Sequence, residues 1–341
     1  LESSVTLKHI AEALGYSTMT VSRALNDRPN VDDQTKKLIQ EKARSMGYTP
    51  NHVAKSLVSR KTYTIGVVIP EITHAFFPEV VRGIEEVTNQ FDYQLLLTNS
   101  NEQFEREKKA IRALRSKRVD GILISTSLTS EDYDFYEKLI ESGPKVVFFD
   151  RGIENLGASC VSVNDQASSQ KITEHLIKEH DYQKIAHLSG PLHVSIGRAR
   201  YEGYLNALKK HNIPVNEQYI VKAGFQEEKG YKAMKELLKL PDEDRPEAVV
   251  AVNDPCAIGA MDAIKENNLS IPDDIALVGF TDDIRAKLLR PPLTTVHQPA
   301  YNVGTRAAKK LIETIEDESE PAENIEVLTT LKIRKSCGCN S

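Results

Sequence analysis

Thr6–Asn26, TLKHIAEALGYSTMTVSRALN, reads as two short helices joined by a tight turn. Thr6 suits an N-cap, because its hydroxyl accepts a backbone N–H that the first turn leaves unpaired. Ile10, Ala11 and Leu14 follow the 3.6-residue period and give the first helix one apolar face. Gly15 fits the left-handed position that ends a helix. Ser17 caps a second helix, whose buried side falls to Met19 or Thr20, Val21, Ala24 and Leu25. This is the layout of a helix-turn-helix, whose second helix enters the major groove with its N-terminal residues toward base edges. Many αα-hairpins bury the same stripe without touching DNA, so the rest of the chain has to carry part of the argument.

Working outward, a polar turn, DRPN, leads to a third helix expected over Val31 to Met46, with Leu38, Ile39 and Ala43 on its inner face. Three helices over about 45 residues make a small core. Asn51 to Arg60, NHVAKSLVSR, follows Pro50, which suits a first helical turn. Isolated helices under ~12 residues are marginal in water, so this segment is expected to fold on DNA.

From Tyr63 the pattern changes. YTIGVVIP, YQLLLTNS, GILIST, KVVFFD and CVSV are strand-like, with helices expected near 77–91, 104–117 and 130–142. A second series follows: KIAHLSG, the 219–223 segment, EAVVAVN and IALVGF, with helices near 166–179, 196–211, 226–238 and 255–267. Short, nearly continuous apolar strands separated by helices indicate parallel sheets covered on both faces. Two such series imply two α/β lobes, to which 293–316 and 324–334 add a strand, a helix and closing strands.

Composition bounds the function. The chain has 341 residues, 40% hydrophobic and 27% charged, ordinary for a globular protein of two or three domains. No apolar run of about 18 residues and no leader are visible, so a cytoplasmic protein without a membrane partner is expected. Residues 1–62 hold 10 Lys/Arg against 6 Asp/Glu, net +4; the remainder holds 34 against 43, net −9. A basic head on an acidic body suggests that the head alone approaches phosphate. P-loop, dinucleotide, zinc-protease and nucleophile-elbow motifs are all missing, so no enzyme and no catalytic residue is expected. Cys160, Cys256, Cys337 and Cys339 make no disulfide framework. Cys337-Gly-Cys339 offers two thiols to a metal, but such a pair at a chain end is more often inert. His175, His180, His187 and His193 are spaced 5, 7 and 6 apart, do not share one helix face and read as unrelated. No metal and no cofactor is expected.

The wording of the first helices, V-T-L-x-x-I-A-x-x-x-G-x-S-x-x-T-V-S-R-x-L-N, resembles the opening of lactose-repressor (LacI/GalR) family transcription factors. The resemblance continues through Thr49-Pro50-Asn51, VIPEITHAFFPEV, VAVNDPCAIGAM, IALVGFTDD, RPPLTTVHQP and LKIRKSC, over essentially the whole chain. It implies an all-α helix-turn-helix head, 1–50, a hinge helix and linker, 51–62, and a two-lobed α/β body, 63–341. That body resembles periplasmic sugar-binding proteins and serves effector binding and dimerisation. The N-lobe is expected over about 63–163 and 293–323, the C-lobe over about 164–292 and 324–341. The implied function is a sequence-specific, dimeric transcription regulator, a repressor by preference, whose affinity for a pseudo-palindromic operator is set allosterically by a small molecule. No long apolar heptad tail follows LKIRKSC, which favours a dimer over a tetramer.

By this resemblance Thr18 and Met19 hold the specificity positions and Arg23 reads a base or a phosphate. Thr6 joins them as a DNA contact, and Ser17, Thr20 and Ser22 as hydroxyl donors to phosphate. Asn26, Asn51 and His52 are backbone contacts, Asn26 being equally suited to cap its helix. Leu57 matches the leucine that wedges into the minor groove, with Val53 and Ala54 near the hinge pair. In the body Asp150, Arg200 and Asn253 match effector-contacting positions, with Phe76, Phe77, Phe280 and Gln298 as pocket wall. Arg198 suits the site or the surface, and Asp254 a helix N-cap. One departure stands out: Thr281 occupies a place where many members carry an Asp, and Asp282 follows it. Either Asp282 takes that role or the ligand differs. Carboxylates, an amide and a guanidinium beside aromatic faces suit a carbohydrate or sugar derivative, with a purine-type corepressor as the alternative. Removing Arg200 is expected to abolish the effector response while leaving thermal stability nearly intact.

Overall fold

The computed structural model describes residues 5–26, 29–48, 61–128, 132–153 and 155–340. The chain divides into two compact units, Leu1–Thr62 and Tyr63–Ser341.

In the first unit α1 (Leu7–Leu14), α2 (Thr18–Leu25) and α3 (Asp33–Ser45) close around Ile10, Ala11, Val21, Ala24, Ile39 and Ala43. Thr6 caps α1 in a reciprocal box: its side chain accepts the His9 N–H, and its own N–H donates to His9 Nδ1. Gly15 ends α1 at φ +71, where a side chain would be strained. Ser17 Oγ accepts the Thr20 N–H at 3.0 Å and starts α2. Two expectations change. α3 begins at Asp33 rather than Val31, because the Asp32 carboxylate takes the Thr35 N–H at 2.9 Å and fixes the start there. Leu38 is 46% exposed, not inward; Ile39 and Ala43 form the inner stripe, and the residue before Ile39 sits about 100° around the helix from it. The hinge positions Asn51, His52, Val53, Ala54 and Leu57 lie outside the described residues.

The second unit repeats one topology twice. The first lobe runs β1 (Thr64–Ile69), α4 (Phe76–Gln90), β2 (Gln94–Asn99), α5 (Phe104–Ser116), β3 (Gly121–Ile124), α6 (Tyr133–Ser142), β4 (Lys145–Phe149) and β5 (Ser159–Ser162). The second runs α7 (Asp165–His180), β6 (Ile185–Ser189), α8 (Ser195–Lys210), β7 (Ile220–Lys222), α9 (Glu227–Leu237), β8 (Ala248–Ala251), α10 (Asp254–Glu266), β9 (Ala276–Thr281) and β10 (Thr294–His297). α11 (Ala300–Glu316), β11 (Asn324–Glu326) and β12 (Thr330–Lys332) complete it. The sheets are ordered β2-β1-β3-β4-β5-β11 and β7-β6-β8-β9-β10-β12. All pairings are parallel except β10 with β12. The inner strands β1, β3, β4, β8 and β9 are apolar and buried almost throughout because helices cover both faces, whereas the edge strands β2, β7, β11 and β12 are partly exposed.

The expected lobe boundaries move by one strand at each crossing. β10 pairs with β9 in the second sheet, so 294–297 belongs to the C-lobe, and β11 pairs with β5 in the first, so 324–326 belongs to the N-lobe. The physical reason is sheet pairing: each strand stays beside the edge it extends, and the chain crosses only after it, at Gln298-Pro299 for the first of these. α11 is docked on α4 by a mutual close approach of glycines. A Cβ on Gly304 would lie 2.0 Å from Val80 O, and one on Gly83 2.2 Å from Tyr301 O. No helix among the described residues is long and apolar enough to cross a membrane.

Candidate functional site

In α2 the capping geometry decides what faces outward. Val21 and Ala24 are buried, so Thr18, Met19 and Arg23 fall on the exposed side, and Met19 is 63% exposed. The Ser17 and Thr20 hydroxyls sit 2.8 Å apart at the helix start. The neighbouring Tyr16, absent from the sequence reading, is also exposed. Asn26 Nδ2 donates to Ser22 O at 2.8 Å, so its amide closes the helix.

In the body, a cleft of about 850 Å³ opens at the C-terminal strand ends of both sheets, where ligands sit in open α/β folds. Phe76, Phe77, Asp150, Arg200, Asn253, Asp282 and Gln298 all line it. Gln298 follows β10 at the point where the chain changes lobe. Its Nε2 donates to Asp150 Oδ1 at 2.8 Å, and its Oε1 faces Arg200 Nη2 at 3.5 Å. One side chain therefore bridges a residue after β4 in the N-lobe and one on α8 in the C-lobe. Arg200 is itself held by Asp165 Oδ1 (2.7 Å from Nε) and Val252 O (2.8 Å from Nη1). Burial raises the Asp165 carboxyl to about 6, against the opposing pull of Arg200. Phe280 does not line the cleft. It lies behind Arg200, whose guanidinium carbon is 3.7 Å from the ring centroid, so its place is that of a platform rather than a wall.

Asp150 and the Thr281-Asp282 pair occupy matching places, at the C-terminal end of the fourth strand of each sheet, and both run through the left-handed region. Asp150 has φ +59, Thr281 +117 and Asp282 +59. Such conformations in non-glycine residues persist only where the surroundings enforce them, and they gather at ligand sites. The Asp282 carboxylate is already bridged: Arg334 Nη2 donates to Oδ1 at 2.7 Å, and His297 Nδ1 lies 3.0 Å from Oδ2.

Asn253, not Asp254, caps α10: its Oδ1 accepts the Cys256 N–H at 2.9 Å while its Nδ2 donates to Phe225 O at 3.0 Å. Asp254 turns inward, taking the Thr295 hydroxyl at 2.6 Å and the Asp283 N–H at 2.7 Å, and burial raises it to about 7. Arg198 is exposed and does not line the cleft. Arg151, missed from sequence, does line it. Its Nη1 donates to both Glu102 carboxylate oxygens (2.9 and 3.0 Å), and its guanidinium stands 5.0 Å from the Phe225 ring on the opposite lobe. The only local signal was its place directly after Asp150.

Known proteins are similar to this chain along nearly its whole length. The HTH-type transcriptional repressor PurR of Mannheimia succiniciproducens is 33% identical over 331 residues, 97% of this chain and 98% of that protein. The lac repressor dimer bound to operator and the anti-inducer ONPF superposes with a TM-score of 0.87 at 25% identity, covering 98% of this chain and 99% of that one. The CelR–cellobiose complex superposes with a TM-score of 0.74 at 26% identity, over 97% and 99%. A helix-turn-helix unit in the same chain as a two-lobed α/β unit with a polar cleft defines a class, the ligand-responsive DNA-binding proteins. Residues 6–51 match the bacterial regulatory proteins of the lacI family, and residues 62–335 match the periplasmic binding proteins and sugar binding domain of the same family. The chain belongs to the LacI family; it is a DNA-binding transcriptional regulator and not an enzyme.

Proposed function

We propose that the chain is a homodimeric cytoplasmic repressor whose operator affinity is set by a sugar or sugar derivative bound in the cleft. Residues 1–50 are the DNA-binding head, 51–62 the hinge and 63–341 the effector-binding and dimerisation body. Thr18, Met19 and Arg23 read the major groove, Arg23 by the bidentate geometry that guanine accepts and Met19 by apolar contact. Thr6, Ser17, Thr20 and Ser22 hold phosphate; Asn51, His52, Ala54 and Leu57 act in the hinge, Leu57 as the wedge. Asn26 contributes mainly by closing α2, since its amide is committed there. A twofold dimer requires an operator of matching symmetry.

The observation that carries the effector reading is the Asp150–Gln298–Arg200 chain of hydrogen bonds across the lobes. A carboxylate, an amide and a guanidinium in one cleft present acceptors and donors at several angles, which hydroxyl-rich molecules satisfy. Phe76 and Phe77 supply an apolar wall beside them. Asn253 contributes through the part of its amide not used in capping. Asp282 meets the ligand only by sharing its carboxylate with Arg334 and His297, so the ligand differs in detail from that of members with an Asp at the Thr281 position. The cellobiose complex of CelR favours a carbohydrate. An effector acts by binding one lobe arrangement more tightly than the other, and the bias passes to the hinge.

The test is selection of genomic fragments by the purified chain at a stated salt concentration, with and without a panel of sugars and purines. Enrichment of a pseudo-palindrome whose retention changes with a sugar supports the reading. Enrichment that answers only to a purine overturns the effector class, and no enrichment under any condition overturns the operator assignment.

A further inference from the structure

Two of the four histidines that looked unrelated in sequence, His175 and His180, are brought together with Cys337 and Cys339, while His187 and His193 lie elsewhere. His175 and His180 lie in the last turns of α7. The turn Lys335–Cys337 carries Cys337, Gly338 and Cys339 back against them. The donor atoms of His175, His180, Cys337 and Cys339 all lie within 4.8 Å of one another. Cys339 Sγ is 3.7 Å from His175 Nε2 and 3.4 Å from His180 Nε2. We propose that these four residues form a closed, four-coordinate site for a thiophilic divalent cation, Zn²⁺ by its ligand set.

Tetrahedral zinc, with bonds of about 2.3 Å to sulfur and about 2.0–2.1 Å to nitrogen, keeps its ligand atoms about 3.3–3.8 Å apart. The two Cys339 distances fall in that range, and no separation has more than about 1 Å to close. Two imidazole nitrogens and two thiolates with no carboxylate among them select zinc over magnesium or calcium. Four protein ligands fill the coordination sphere, and none of them lines the effector cleft, so the ion's role is structural.

The surroundings are built rather than frayed. Ser336 and Cys337 are fully buried. Ser336 Oγ donates to Leu277 O at 2.6 Å and accepts the Thr294 N–H at 2.8 Å. Thr294 Oγ1 sits 3.1 Å from Cys337 Sγ, and Tyr182 stacks on the His180 ring at 5.5 Å. These are the outer contacts that orient metal ligands. Gly338 has φ +107, and a Cβ there would lie 3.0 Å from His180 Cε1. The glycine thus lets both flanking cysteines reach the same imidazoles. Bound zinc clamps the C-terminal turn to the end of α7, whose opposite end holds Asp165 beneath Arg200.

The experiment uses the full chain, reduced and stripped with a chelator, then titrated with Co²⁺. One equivalent per chain is expected to give tetrahedral ligand-field bands and a thiolate charge-transfer band, both bleached by one equivalent of Zn²⁺. Cys339→Ser is expected to lose that stoichiometric binding. Zn²⁺ is expected to raise the melting temperature of the unaltered chain but not of His175→Ala. The proposal is overturned by a weak six-coordinate Co²⁺ spectrum on the unaltered chain, by undiminished binding in Cys339→Ser, or by a Cys337–Cys339 disulfide that persists at a cytosolic glutathione poise. The first and last readings need no variant, so a folding defect in a mutant leaves the proposal testable.

Discussion

Arg200 is 2% exposed and carries an ion pair, a carbonyl contact and an aromatic stack at once. Its burial corrects the expectation that its removal spares stability. Arg200→Ala leaves the Asp165 carboxylate buried without its partner, and breaking a buried pair from one side costs about 3–5 kcal/mol. Urea unfolding is expected to report a loss of that order, part of which Asp165→Asn recovers in the double variant; an unchanged midpoint in Arg200→Ala contradicts the assignment. Asp150, Arg200 and Gln298 were reached through the family resemblance, and the fold brings the three together at the ligand-binding ends of the sheets. Depth was not legible: Phe280 read as a wall residue alongside the effector contact Arg200, yet it stacks behind that guanidinium and does not line the cleft. Arg151 was missed for the same reason, since Glu102 and Phe225 meet it only through the fold.

At the scale of elements, local signals were readable and pairings were not. Thr6, Gly15 and Ser17 announce the ends of α1 and α2, because caps act within three or four residues. β10 and β11 carry no such mark. Which sheet a short strand joins depends on a neighbour far along the chain, so both lobe boundaries moved. The C-x-C pair likewise read as inert, its histidines lying more than 150 residues upstream. The docking of α11 on α4 gives a sharper test. A Cβ at Gly304 would stand 2.0 Å from a backbone oxygen, which cannot rotate aside. Gly304→Ala is expected to lower stability by at least about 1–3 kcal/mol, the range for overpacking. A calorimetric melting temperature equal to that of the unaltered chain contradicts that close packing.

At the scale of the whole body, two sheets of one topology are joined by a connection that crosses at Gln298-Pro299. Besides the Gln298 bridge, His193 Nε2 lies 2.7 Å from Leu128 O and Arg151 reaches over Phe225, so several polar contacts hold the lobes in this arrangement. Gln298→Ala removes the one that touches both Asp150 and Arg200. It is expected to enlarge the radius of gyration in solution scattering and to speed amide exchange around the crossing, with the buried Asp150 carboxylate losing its amide donor at about 1–3 kcal/mol. Scattering and exchange that match the unaltered chain count against a bridging role.

That bridge has a consequence for selectivity. Asp150, Gln298 and Arg200 are already joined to one another, so a guest that takes Gln298 enters by exchanging those contacts as well as by adding its own. Its net gain is the difference between the bonds it brings and the bonds it displaces. A molecule that matches only some of them loses on the rest, and the host's own side chains become the standard against which each candidate is judged.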